Sequence, residues 1–231
     1  EPVYKGDDVY FMNCAMSWGE IWMKEKWREF YNWYLEHEDF SILPHLPSRL
    51  CKMGNKSWLK YHTRYCIESG KYFVFPYYSF TTNFSDVGTH NDGTFSSLFQ
   101  VPLSCRTGGY YSLPDSVDNA VCYDGFFENC LLSKSIGIDS EDVCIDLNGT
   151  REEKPRERFW LTTQKKDFKI IHSFAIEMRP IELNVFNNVQ GLGIFLYDTS
   201  EEYKNNSISN ILLYRYYLGG LVPFLRKYGE K

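Results

Sequence analysis

The sequence contains no G-x-x-x-x-G-K-[ST], no G-x-G-x-x-G and no G-x-S-x-G. The glycine loops that cradle phosphates and the nucleophile elbow of the α/β-hydrolases are therefore not its chemistry. No C-x-x-C pair occurs, which argues against a zinc ribbon. No run approaches the roughly 20 apolar residues of a membrane-spanning helix. No dense Lys/Arg block exists and the net charge is −5, so binding that tracks a nucleic-acid backbone is disfavoured. The start, EPVYKGDDVY, has neither an initiator Met nor a basic-then-apolar leader pattern, and it reads as a chain cut from something longer.

What is abundant is aromatic. Of 231 residues 18% are Phe, Trp or Tyr, with 18 Tyr, 17 Phe and 6 Trp. Amphipathic rings pack cores and also stack on sugars, so the excess points to carbohydrate contact without proving it. Hydrophobic content of 43% and charged content of 24% are ordinary for a globular chain with a sizeable core. Seven cysteines are an odd number with no metal-type pairing, so the expectation is reduced, mostly buried thiols and a cytoplasmic protein, with contact at most peripheral to the inner face of the membrane. Four N-x-[ST] sequons, at Asn55, Asn83, Asn148 and Asn205, pull the other way.

Along the chain, apolar spacing predicts a helix over 20–39, with Ser17 and Glu20 as an S-x-x-E capping box. A second helix is expected over 57–69, with Ser57 at its start and Gly70 just past its end. KYFVFPYYSFTT (71–82) reads as a strand whose Pro76 implies an edge or a bulge. A polar loop follows at 83–94. Strands are expected near 97–103, 121–127, 142–147, 158–163 and 193–199, with 168–178 open to either helix or strand, and a closing helix over 206–220. The fold class expected is mixed α+β. Residues 1–98 would form one region with aromatic helices, and 99–231 a strand-rich α/β extension.

Two groups of residues carry candidate chemistry. Glu20 caps a helix on the bland account; on the functional one its carboxylate, beside a Trp-Gly turn, takes a proton from a sugar hydroxyl. Asp86, His90 and Asp92 in SDVGTHND combine carboxylates with an imidazole, which can hold Mn²⁺ or Mg²⁺ or meet a diphosphate, although the same residues also make ordinary turns. His37, His45 and His62 read as surface or helix-face residues. Cys66 has no obvious base beside it.

Four ordered blocks, MSWGEIWMKEKW (16–27), GNKSWLKYH (54–62), YFVFPYYSF (72–80) and NFSDVGTHN (83–91), resemble the C-terminal part of a bacterial family-two glycosyltransferase. The resemblance covers about residues 8–95, with a weaker likeness in FWLTT, SFAIEMRPIELNV and GIFLYDTS to a C-terminal extension of such enzymes. It implies an inverting GT-A transferase of polysaccharide biosynthesis. Such an enzyme moves a sugar from a nucleotide-diphosphate donor to a surface-glycan acceptor with Mn²⁺ or Mg²⁺. Trp18 would then be an acceptor platform, Gly19 would allow close approach, and His90 with Asp86 would face the donor diphosphate or metal. Two departures stand beside it. Relatives commonly carry an aromatic where Glu20 stands. The donor-binding half and its Asp-x-Asp motif would lie upstream of residue 1, so this chain alone is expected to be inactive. A non-catalytic carbohydrate-binding or interaction module is the competing reading.

Overall fold

A computed structural model describes residues 2–37, 43, 45–54, 56–84, 87, 100–106, 108–151 and 153–204. The architecture is mixed α+β. Four α-helices and seven strands occur among the described residues, and the strands form two sheets that each combine parallel and antiparallel pairs. The chain divides into two compact units, one of Tyr4–Gly125 and one of Phe126 onward with the first three residues. The boundary expected near residue 98 falls among undescribed positions, and the described residues on both sides of it belong to the first unit. The reason is a long-range pairing: β1 (Val9–Met12) lies parallel to β3 (Cys122–Tyr123), with Phe11 opposite Cys122.

Between those strands in the chain come α1 (Lys24–Glu36), α2 (Trp58–Glu68) and β2 (Phe73–Pro76). β2 is an edge strand, antiparallel to β1, and Pro76 forms the last pair of the ladder, opposite Val9. That placement spares the proline a missing donor inside the sheet. α2 lies between the two residues expected to bound it, Ser57 as N-cap and Gly70 just past its C-cap. Gly70 has φ +58°, its N–H reaches the Ile67 carbonyl and the Lys71 N–H reaches that of Cys66. This is a Schellman closure, which needs a residue tolerant of left-handed backbone. Ser57 holds the N-cap position without a side-chain capping bond. The two helices meet through Phe30, Tyr61, Tyr65 and Cys66, with Trp22, Trp33, Tyr34 and Phe73 packed around them.

The second unit is a sheet ordered β4 (Val143–Asp146), β5 (Phe159–Thr162), β7 (Ile194–Glu202), β6 (Phe168–Phe174). The single-turn helices α3 (Leu132–Ser135) and α4 (Leu183–Phe186) accompany it. Because side chains alternate along a strand, the sheet separates its apolar residues onto two faces. Leu161, Ile194 and Leu196 join one core cluster, while Trp160, Phe195, Tyr197 and Cys144 form another. The 168–178 run resolves as strand up to Phe174, in an edge position with register irregularities at Phe168/Lys169 and Ile170/His172. At the end of β4 the buried Asp146 carboxylate accepts from the Thr150 and Arg151 N–H groups and from the Thr162 hydroxyl. Those bonds bend the chain into the crossover that a parallel β4–β5 pair requires. The sequons at Asn55 and Asn205, the closing helix over 206–220 and residues 97–99 lie outside the described residues.

Leu161 is fully buried in the interior strand β5, so Leu161→Ala is expected to cost about 2–5 kcal/mol of unfolding free energy. Urea titration followed by far-UV circular dichroism checks it; a midpoint unchanged from the parent protein would show that this face is not a packed core.

Candidate functional site

The Trp18–Gly19 pair forms a turn ahead of α1. Gly19 has φ +72°, and a Cβ built there would lie 2.8 Å from Thr81 Cγ2 and 2.9 Å from Thr81 Oγ1. Backbone conformation and lack of room both demand glycine. The turn is pinned from two sides: the Ala15 N–H donates to Thr63 Oγ1 on α2 at 3.3 Å, and Thr81 Oγ1 donates to the Trp18 carbonyl at 3.5 Å. The Trp18 indole is left 45% exposed and Trp58, at the start of α2, 41% exposed.

The capping box expected from Ser17 and Glu20 does not form. α1 begins at Lys24, its N-cap is Met23, and no side chain caps it. Glu20 instead turns inward, where the Trp22 side chain partly offsets the effect of burial on its carboxyl and Glu20 Oε1 lies 3.7 Å from His62 Nδ1. The Glu20 side chain retains 7% of its surface and that of His62 5%. Of the two places its sequence allowed, surface or helix face, His62 therefore takes the second, on the buried face of α2. Its ring stacks on Trp22 at 4.3 Å and packs against Phe30 at 4.4 Å, while the Phe73 ring meets it edge-on at 4.9 Å. Trp58, His62 and Tyr65 stand at i, i+4 and i+7 on α2, the spacing of one helix face. That spacing was the signal in the sequence that His62 shares the face of the aromatic core.

The pair meets the distance criterion for an ion pair, but it is not one at neutral pH. Burial pushes the Glu20 carboxyl up to about 7 and the His62 imidazole down to about 4. Loss of water disfavours the charged form of each, so the two pKa values cross. Glu20 Oε1 and His62 Nδ1 make no hydrogen bond among the described residues. A carboxyl that titrates near neutrality, with one oxygen unspent, suits general acid–base chemistry. The neighbouring Cys66 thiol is pushed up to about 12, chiefly by burial, which removes it as a nucleophile.

Glu20 is thus brought together with Trp22, Trp58 and His62, and Trp18 and Gly19 form the turn that leads into it. Asp86, His90 and Asp92 lie outside the described residues. Among the described residues no group of three His, Cys, Asp or Glu side chains is placed to hold a metal ion. All seven cysteines are free, with Cys14, Cys66, Cys122 and Cys144 buried and Cys51, Cys105 and Cys130 exposed. No helix among the described residues is long and apolar enough to cross a membrane.

The crossed pKa values give opposed pH dependences. Glu20, raised from 4.5 to about 7, contributes stability that is complete below pH 4.5 and lost as the pH rises through about 7. His62, lowered from 6.5 to about 4, contributes stability that is complete above pH 6.5 and lost as the pH falls through about 4. Between pH 4.5 and 6.5 the two slopes oppose each other in the parent protein. In Glu20→Gln, stability is expected to climb with pH from about 4 to 6.5; in His62→Gln it is expected to decline from pH 4.5 to about 7. Thermal unfolding of the three proteins across this range reads the difference, and three parallel profiles would mean that neither group titrates abnormally.

Comparison of the chain with protein-family models, with curated proteins and with solved structures finds no match, so the chemistry of this site rests on its own geometry.

Proposed function

We propose that the chain is the acceptor-side and C-terminal portion of an inverting glycosyltransferase, which moves a sugar from a nucleotide-diphosphate donor to a surface-glycan acceptor. The observation that carries this reading is the Glu20 carboxyl, held near a pKa of 7 and beside the Trp18–Gly19 turn, with Oε1 unspent. The reading is also supported by where the sequence blocks sit. The SWGE turn, the N-K-S-W helix and the aromatic strand β2 contribute Glu20, His62 and Phe73 to one cluster.

In this reading Trp18 and Trp58 offer indole faces to the acceptor sugar, and Gly19 adds no side chain that would hold it off. The Glu20 carboxylate takes the proton of the acceptor hydroxyl. The freed oxygen attacks the anomeric carbon, the bond from that carbon to the diphosphate oxygen breaks, and configuration inverts as the nucleoside diphosphate leaves. Neutral His62 packs against the carboxyl and keeps water from it, which sustains the raised pKa. His90 and Asp86 would face the diphosphate on the resemblance alone. A divalent cation, if bound, would stabilise the leaving diphosphate.

The competing reading is a non-catalytic carbohydrate-binding module, favoured by the exposed indoles of Trp18 and Trp58. Calorimetry of this chain with oligosaccharides, and with UDP- and GDP-sugars with and without Mn²⁺, separates the two when joined to transfer assays on protein carrying a donor-binding half. Oligosaccharide affinity is expected to fall about tenfold in Trp18→Ala, the loss of roughly one sugar-stacking contact. Transfer is expected to fall about 10²–10⁴-fold in Glu20→Gln. Unchanged transfer in Glu20→Gln would remove Glu20 as the base. Glycan binding without transfer in any form would select the module.

A further inference from the structure

Helix α1 carries a second surface that the sugar site does not use. Met23, Trp27, Tyr31 and Leu35 follow one another at i, i+4, i+8 and i+12, which sets them along a single stripe. All four are exposed, Met23 at 65% and Leu35 at 52%, and Ile21 just before the helix is 91% exposed. Trp27 and Tyr31 lie with their planes 16° apart and their centroids 6.1 Å apart, so their rings make a continuous apolar surface. Phe30 and its partners already bury the core-facing side of the helix. Trp27 also meets Trp22 edge-on at 5.1 Å, but Met23, Tyr31, Leu35 and the outer part of the Trp27 ring remain exposed.

The charges on α1 are sorted around this stripe. Lys24 and Arg28 lie one position beyond Met23 and Trp27, on the stripe's flank. Neither takes part in an ion pair or hydrogen bond among the described residues. Lys26, set away from the stripe, is paired with Glu29 at 2.9 Å. The acidic residues Glu25, Glu29 and Glu36 stand at i, i+4 and i+11 and share another side of the helix. Apolar residues that include Trp and Tyr, bordered by unspent cations and turned away from the carboxylates, match the layered chemistry of an anionic bilayer surface. Hydrocarbon lies beneath, the interface favours amphipathic rings, and phosphate headgroups sit at the rim.

We propose that α1 docks the protein, lying flat, on an anionic membrane surface. Ile21, Met23, Trp27, Tyr31 and Leu35 enter the boundary between headgroups and acyl chains, and Lys24 and Arg28 meet lipid phosphates. The proposal stands whether or not the chain transfers sugar, because it uses neither Glu20 nor Trp18.

Flotation of the full chain with phosphatidylcholine vesicles, with and without phosphatidylglycerol, tests it. Binding is expected to the anionic vesicles and to be much weaker to the zwitterionic ones. Lys24→Gln with Arg28→Gln is expected to weaken partitioning to anionic vesicles about thirtyfold, since each basic residue at such a surface is worth roughly fivefold. Trp27→Ser with Leu35→Ser is expected to weaken binding to both compositions. Lys24, Arg28, Tyr31 and Leu35 are exposed, so the unfolding midpoint should hold in Lys24→Gln with Arg28→Gln and in Tyr31→Ser with Leu35→Ser. The latter is a second apolar pair that leaves the contact of Trp27 with Trp22 in place and is expected to weaken binding likewise. Absence of vesicle binding by the parent chain would overturn the proposal. So would binding that no pair of substitutions weakens. Sedimentation velocity supplies the third outcome: a dimer abolished by Trp27→Ser with Leu35→Ser would assign the stripe to a second copy of the chain instead.

Discussion

An imidazole enclosed between indole and phenyl rings must give up its water. The first unit is organised around making that enclosure tolerable. His62 sits at the middle of α2, where Trp22 covers one face and Phe30 packs against it, and Phe73 closes the edge. α1 supplies Phe30, the turn before it supplies Trp22, and β2 supplies Phe73. The turn, the helix that follows it and a strand farther along the chain are held together by a ring that none of them could bury alone. Burying it neutral avoids the large cost of an unpaired charge in apolar surroundings.

The same enclosure acts on Glu20. A carboxylate 3.7 Å from an imidazolium would ordinarily be held below its usual range. Here the desolvated imidazole is neutral, so it offers no positive charge, and the carboxyl rises toward 7. Elsewhere on the same helices the opposite rule operates. Glu29, at the surface and contacted by Lys26 and Lys71, is held down to about 2. Two glutamates nine positions apart thus differ in titration because one meets cations in water and the other meets aromatic rings. Glu29 ties α1 to the residues just before β2, and Glu20 keeps Oε1 without a hydrogen bond among the described residues.

Much of this was legible wherever the signal was local. The Ser57 and Gly70 boundaries of α2 and the edge position of Pro76 follow from what those residues permit in their own backbones. The α1 start was misread because S-x-x-E satisfies a local rule, while tertiary packing took Glu20 elsewhere. A left-handed Gly19 pressed on Thr81 ends any helical continuation from Ser17. The place where the units divide was hidden for a different reason. Two residues of β3 pair with β1 across more than a hundred positions, and no composition shift marks such a contact. The alternation in 168–174 was present, but a run of that length satisfies both periods until a partner strand selects one.

Edge strand β6 has a consequence for how the protein behaves in concentrated solution. A straight apolar edge offers its free N–H and C=O groups as a template on which another chain can add a strand, and sheets that do so grow into aggregates. β6 breaks step with β7 at two places, and Lys169 reaches across to the Glu201 carboxylate at 3.1 Å. An incoming strand would find no regular ladder along it. The broken register thereby makes this edge of the sheet a poor template for extension.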